Sequence, residues 1–194
     1  FKGLLIAAGL LTVITSVVLI DGSGDWRGEV DATQLTNAVL LCLGVGFAEE
    51  LIFRSWLWTE LQQMMGSRRA ALAQASIFSL VHSRFNLGLG AMSGLLIGLF
   101  LLGMVLARQR QSDRGSLWGC IGLHGGLVAG WFLLQNGLLQ LSPNAPPWLV
   151  GPGGHSPNPL GGLIGILSLL ILLLIQRTAV ANALRPSTGA RRAS

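Results

Sequence analysis

Five side chains carry chemistry that the rest of this sequence does not explain. Glu49, Glu50 and Arg54 stand in the run Gly46-Phe47-Ala48-Glu49-Glu50-Leu51-Ile52-Phe53-Arg54, and His82 and His124 stand in two further apolar runs. Paired carboxylates with histidines are the raw material of general acid–base catalysis, because one group can take a proton while the others orient or neutralise. Their setting is costly. A charged side chain near a bilayer centre costs at least about 2.5–3.5 kcal/mol, and an ionisable residue kept there is a functional-site hypothesis by default.

The helical period separates the roles. Glu50 and Arg54 are four residues apart, on one face, where an ion pair offsets part of the cost of burial. Glu49 is turned away by about 100° and has no such partner. A desolvated carboxylate close to histidines is the kind of group tuned for general-base work. A lone buried histidine is more often a packed residue, and a lone Glu–Arg pair serves equally well as a helix staple. A layer holding all five residues argues for a site.

The elements that must position these residues are hydrophobic. The chain has 194 residues, 51% hydrophobic and only 11% charged, with a mean hydropathy of +0.62. Soluble domains carry about 25% charge, so this composition describes an integral membrane protein and a polytopic, all-α helical bundle. Six apolar segments are predicted, over residues 4–20, 35–65, 70–83, 87–107, 116–139 and 160–175. Together they form a single integral-membrane domain over residues 1–176. A basic tail of disordered composition follows over 177–194.

Gly66 closes the second segment, and residues 21–34 form a Gly-rich acidic loop. Gly90, Gly94 and Gly98, and likewise Gly122, Gly126 and Gly130, repeat at four-residue spacing, a seam for close helix packing. Cys42 and Cys120 both fall in apolar runs and read as buried free thiols.

Sidedness and depth follow from charge and helical rise. Lys2, Arg68, Arg69, Arg108, Arg110, Arg114 and the tail arginines 177, 185, 191 and 192 fall on one side of such a bundle, and only Arg27 and Arg84 on the other. The positive-inside bias puts the arginine-rich loops and tail on the cytoplasmic or equivalent side. At about 1.5 Å per residue, Glu50 lies about 15 Å in from Glu60, His82 about 18 Å in from Ala70, and His124 about 9–12 Å in from Ser116. The polar groups of three separate segments thus share one layer.

The net charge of +5 raises nucleic acid as a partner, but the arginines sit at helix ends and in the tail. The expected partners are membrane lipids and a membrane-tethered peptide or protein, not nucleic acid. The tryptophans at 26, 56, 58, 118, 131 and 148 read as interfacial anchors, and His155 as a solvated loop histidine.

These residues resemble the motifs of the CPBP family of integral membrane peptidases, the CAAX-protease and bacteriocin-processing or Abi group. Glu49-Glu50-x-x-x-Arg54 meets the first motif, and Phe78-x-x-x-His82 the second. In the third, a histidine precedes Asn or Asp by four residues; here His124 precedes Val128. The resemblance covers roughly residues 44–130.

It implies endoproteolysis by a water molecule inside the membrane. Glu49 resembles the general base, and His82 holds or polarises the water. Glu50 and Arg54 brace the site, and His124 stabilises the oxyanion. With valine at 128, either Asn136 or Asn158 substitutes, or activity is low or absent. In that second case the chain is a catalytically silent relative, an assembly, stabilising or binding factor, or an accessory subunit of a membrane complex.

Metal use stays open at this stage. Glu49, His82 and His124 have ligand chemistry suited to a divalent metal such as zinc, in which case Glu50 would be the base. No His-Glu-x-x-His pair is present, and the metal-free glutamate scheme is favoured. A proton-transport role is disfavoured, because the polar groups occupy one half of the bilayer without a matching relay or inverted repeat.

Overall fold

A computed structural model describes residues 1–154 and 156–183, with side chains described through residue 177. His155 and the tail residues 184–194 lie outside the described residues. The expected helical bundle is present. Helix α1 (Lys2–Ile20) leads to a short strand β1 (Gly24–Trp26), and α2 spans Ala32–Glu50. A π-helical stretch, Leu51–Leu57, runs on into α3 (Trp58–Val81), and α4 spans Leu89–Ser112. Helix α5 (Trp118–Leu133) ends in a π turn, Leu134–Leu138, followed by strand β2 (Leu139–Leu141). A short helix α6 (Pro147–Val150), a 3-10 turn (Pro159–Gly161) and α7 (Leu163–Ala183) complete the described residues.

Among the described residues, three helical stretches are long and apolar enough to cross a membrane: Lys2–Ile20, Ala32–Val81 and Leu89–Ser112. The second includes a break at Gly66, whose φ of 76° and ψ of 163° only glycine adopts without strain. That break turns the predicted second and third segments against each other. Helix α5 is shorter than the predicted fifth segment, because its last residues leave the α-helical path for the π turn and β2. Helix α7 continues past residue 176 to Ala183.

Two further departures concern the loops and the tryptophans. Strands β1 and β2 pair antiparallel, Asp25 opposite Gln140, which ties the predicted acidic loop to the end of α5. Helix α2 starts three residues before the predicted Leu35, because Asp31 and Gln34 form a reciprocal capping box that satisfies its first amides. Trp58 and Trp131 are buried within the protein. The Trp58 indole N–H donates to Gln62 Oε1 at 2.7 Å, and that of Trp131 to the Pro157 carbonyl at 2.8 Å. Trp26, Trp56, Trp118 and Trp148 are exposed, as anchors should be.

Helix α5 is the hub, packing on α1, α2 and α4. The glycine seams explain how. A Cβ on Gly46 of α2 would lie 2.8 Å from Gly125 Cα and 3.1 Å from the Ile121 carbonyl oxygen, so only glycine lets α2 approach α5 this closely. Gly122, Gly126 and Gly130 take Leu4, Ala7 and Leu11 of α1 against α5, while Gly94 and Gly98 receive the backbone of Leu160 and Gly161. Leu95, Leu102, Leu106 and Leu123 fill the buried core. Outward faces stay apolar, with Leu40, Leu43, Ile97, Ile171 and Leu174 exposed, as a lipid-facing bundle requires.

Candidate active site

The close crossing of α2 and α5 brings the layer together. Glu49 and Glu50 end α2, His124 faces them from α5, and His82 caps the end of α3. The π-helical stretch begins directly after Glu50, a distortion that recurs at functional sites because it re-aims side chains.

The two carboxylates differ in what they can reach. Glu50 and Arg54 are both fully buried, and Arg54 Nη1 donates to Glu50 Oε1 at 2.9 Å. The guanidinium carbon also lies 4.2 Å from the Phe78 ring centroid, a cation–π contact that supplies part of the lost hydration. The Glu49 side chain is 26% exposed and lines an apolar groove of about 630 Å³ between α2 and Phe132. Of the pair, Glu49 alone can meet an incoming molecule.

Hydrogen bonding orients both imidazoles. His82 Nδ1 is 2.7 Å from the Phe78 carbonyl oxygen, and His124 Nδ1 is 2.8 Å from Glu50 Oε1. Both partners only accept, so each Nδ1 donates and the neutral ring presents an Nε2 lone pair. His82 Nε2 lies 3.5 Å and His124 Nε2 3.8 Å from Glu49 Oε2. That oxygen is buried and accepts no hydrogen bond from the described residues. Separations of this size exceed a direct N–H···O bond. Three acceptors therefore surround one point, and a molecule with two O–H donors suits it. Phe78 packs between them, its ring centroid 4.7 Å from that of His82 and 5.6 Å from that of His124.

Glu49, Glu50, Arg54, His82 and His124 thus converge, as their types and depths suggested. Among the described residues, no group of three His, Cys, Asp or Glu side chains is arranged to hold a metal ion. Glu49, His82 and His124 do not make up such a group. Both proposed substitutes for the third-motif asparagine make local hydrogen bonds. Asn136 Nδ2 donates to the Phe132 carbonyl at 2.8 Å, about three turns from His124. Asn158 Oδ1 accepts from the Leu160 amide at 3.1 Å.

Sequence reasoning missed Gln74, which is fully buried and donates from Nε2 to the Gly103 carbonyl at 3.0 Å, tying α3 to α4 behind the layer. A glutamine at helical spacing before Phe78 and His82 was the available signal. The groove was missed as well, although Asn37, Leu41, Gly44 and Ala48 already fall on one helical stripe ending beside Glu49.

Fold and site together define an integral membrane protein with a carboxylate–imidazole centre buried among its helices. The chain belongs to the family described as type II CAAX prenyl endopeptidase Rce1-like, whose model matches residues 31–130. The match begins at the cap of α2 and ends on α5, so it contains all five residues of the layer. Searches of curated proteins and of solved structures returned no match.

Proposed function

We propose that this protein is an intramembrane endopeptidase that cleaves membrane-associated peptides or proteins with a glutamate-activated water. The observation that carries this reading is the approach of His82 Nε2 and His124 Nε2 to one buried oxygen of Glu49, at 3.5 and 3.8 Å. A water placed among them donates one O–H to Glu49 and the other to a histidine lone pair, which leaves its own lone pair to attack. Glu49 takes the first proton as the new C–O bond forms and the carbonyl becomes an oxyanion. The same proton passes to the departing amine nitrogen as the C–N bond breaks.

His124 takes a proton from bulk solvent at Nε2 before attack, donates that hydrogen to the oxyanion and keeps it through the cycle. The water's second O–H stays on the carboxylic acid product. Glu50 is the counter-charge of His124 through the 2.8 Å contact to Nδ1. Glu50 and Arg54 act through His124 and are positioning residues. In this scheme the Arg68-Arg69 end of the bundle faces the cytoplasm, a reading supported by the charge bias of the loops.

The test is hydrolysis, in proteoliposomes, of a fluorogenic peptide ending in a prenylated Cys-aliphatic-aliphatic-X sequence. Cleavage by the wild type and its loss in Glu49→Gln are expected. Full activity in Glu49→Gln would overturn the mechanism.

One observation favours a second reading. Val128 stands one turn beyond His124 and has no hydrogen-bonding group, while Asn136 Nδ2 is held by the Phe132 carbonyl and Asn158 Oδ1 accepts from the Leu160 amide. A family member that binds membrane proteins without cutting them is consistent with that. It predicts partner capture that Glu49→Gln leaves intact.

A further inference from the structure

Two separate cavities follow one another along α2, with no lining residue in common. The apolar groove that ends at Glu49 begins at Asn37, with Gly44 and Val45 on one wall and Phe132 on the other. A larger cavity of about 1000 Å³ lies at the sheet end of the bundle, lined in part by Glu29, Gln34, Gln135 and Asn136. Gln34 precedes Asn37 by one turn of α2, and Asn136 follows Phe132 by one turn. Gln34 Nε2 also donates to the Asn136 carbonyl at 2.5 Å, which clasps the two helices at the larger cavity.

The character changes along this track. The inner part is hydrocarbon-lined and open at its flank, since a Cβ on Gly44 would meet nothing within 4 Å. The outer part is polar, and its Glu29 carboxylate is exposed. The charged residues of its lining are Glu29 and Asp31 against Arg27, and Arg27 Nε is held by Gln140 Oε1 at 2.8 Å. An anionic lipid phosphate would be repelled there. A polypeptide with a basic side chain and free amide N–H groups is complementary.

We infer that the α2–α5 cleft is a measuring track for a polypeptide segment, apolar along the groove and basic where it meets the sheet-end cavity. From Gln34 to Glu49 the helical rise spans about 22 Å, equal to about seven residues of extended chain at 3.3 Å each. The basic anchor and the bond presented to Glu49 are therefore a fixed distance apart. This inference rests on Glu49 being the reacting carboxylate, but occupancy of the track does not.

The experiment uses the full-length Glu49→Gln protein in liposomes, so that binding is read without cleavage. The probes are synthetic Leu/Ala peptides with one lysine and a diazirine-bearing leucine placed 3, 5 or 7 residues from it. Crosslinks mapped by mass spectrometry should move along α2 from Leu41 toward Ala48 as the spacing grows. Labelling should fall at least tenfold when the probe lysine becomes glutamate, and likewise in Glu29→Lys, whose substitution is on the surface. Gly44→Trp should block labelling beyond Val45.

Labels scattered over α1 and α7, labels independent of lysine position, or equal labelling by lysine and glutamate probes would overturn the track. So would a diazirine phospholipid that labels Leu41 to Ala48 and is not displaced by the peptide. Register-dependent labelling beside absent hydrolysis by the wild type would leave the track standing and remove the peptidase reading.

Discussion

His124 Nδ1 lies 2.8 Å from Glu50 Oε1, and the same carboxylate oxygen receives Arg54 Nη1 at 2.9 Å. One buried oxygen thus binds a cation on its own helix and orients an imidazole on another. The brace and the candidate catalytic layer are one hydrogen-bonded unit, and Glu49 is the member turned toward the groove.

Removing Glu50 should cost stability before it costs chemistry. In Glu50→Ala the buried Arg54 loses its counter-charge, and breaking such a pair costs about 3–5 kcal/mol. The double substitution Glu50→Leu with Arg54→Met should recover most of that loss. Denaturant unfolding in detergent of Glu50→Leu, Arg54→Met and the double closes the cycle; coupling below about 0.5 kcal/mol would contradict the geometry.

Glu49→Gln keeps the shape of the side chain and removes its basicity. A fall in kcat of about 10²–10⁴-fold is expected, with KM and melting temperature close to wild type. Proteoliposome kinetics read beside a thermal melt separate this from unfolding.

His82 is oriented by a backbone carbonyl and approaches Glu49 from α3, so truncating it should disturb the water and not the bundle. His82→Ala should lower kcat by about 10²-fold or more, with the Glu50–Arg54 coupling unchanged. A matching loss of that coupling would mean that His82 is a packing residue.

Two neighbouring glycines give opposite forecasts. A Cβ on Gly46 would meet the backbone of Gly125 and Ile121, whereas one on Gly44 would meet nothing. Gly46→Val should therefore force α2 off α5, lower the folded yield in a gel-filtration assay and abolish cleavage. Gly44→Ala should match wild type in both.

Val128→Asn places an amide one turn beyond His124, where an oxyanion donor belongs by resemblance. The expected result is a rise in kcat of about tenfold or more at constant KM, since one such donor contributes several kcal/mol. Unchanged turnover would show that His124 alone supplies the oxyanion contact.

Much of this was written locally in the chain. Apolar runs, the arginine-rich turns, the Gly66 break and the depth of the five ionisable residues follow from helical rise and from the cost of placing charge in hydrocarbon, neither of which needs a neighbour. The Glu50–Arg54 pair was equally legible, because partners four residues apart meet on any helix.

What only the tertiary structure decided depends on residues far apart in sequence. Strand β1 finds β2 across more than a hundred residues, Trp131 finds the Pro157 carbonyl, and Glu50 finds His124. Each was hidden because periodicity says which residues share a face but not which face of which helix opposes it. The α2–α5 contact through Gly46 and Gly125 settled that question. It buried Glu50 against His124 and left Glu49 at the end of the groove, so two adjacent glutamates acquired different chemistry.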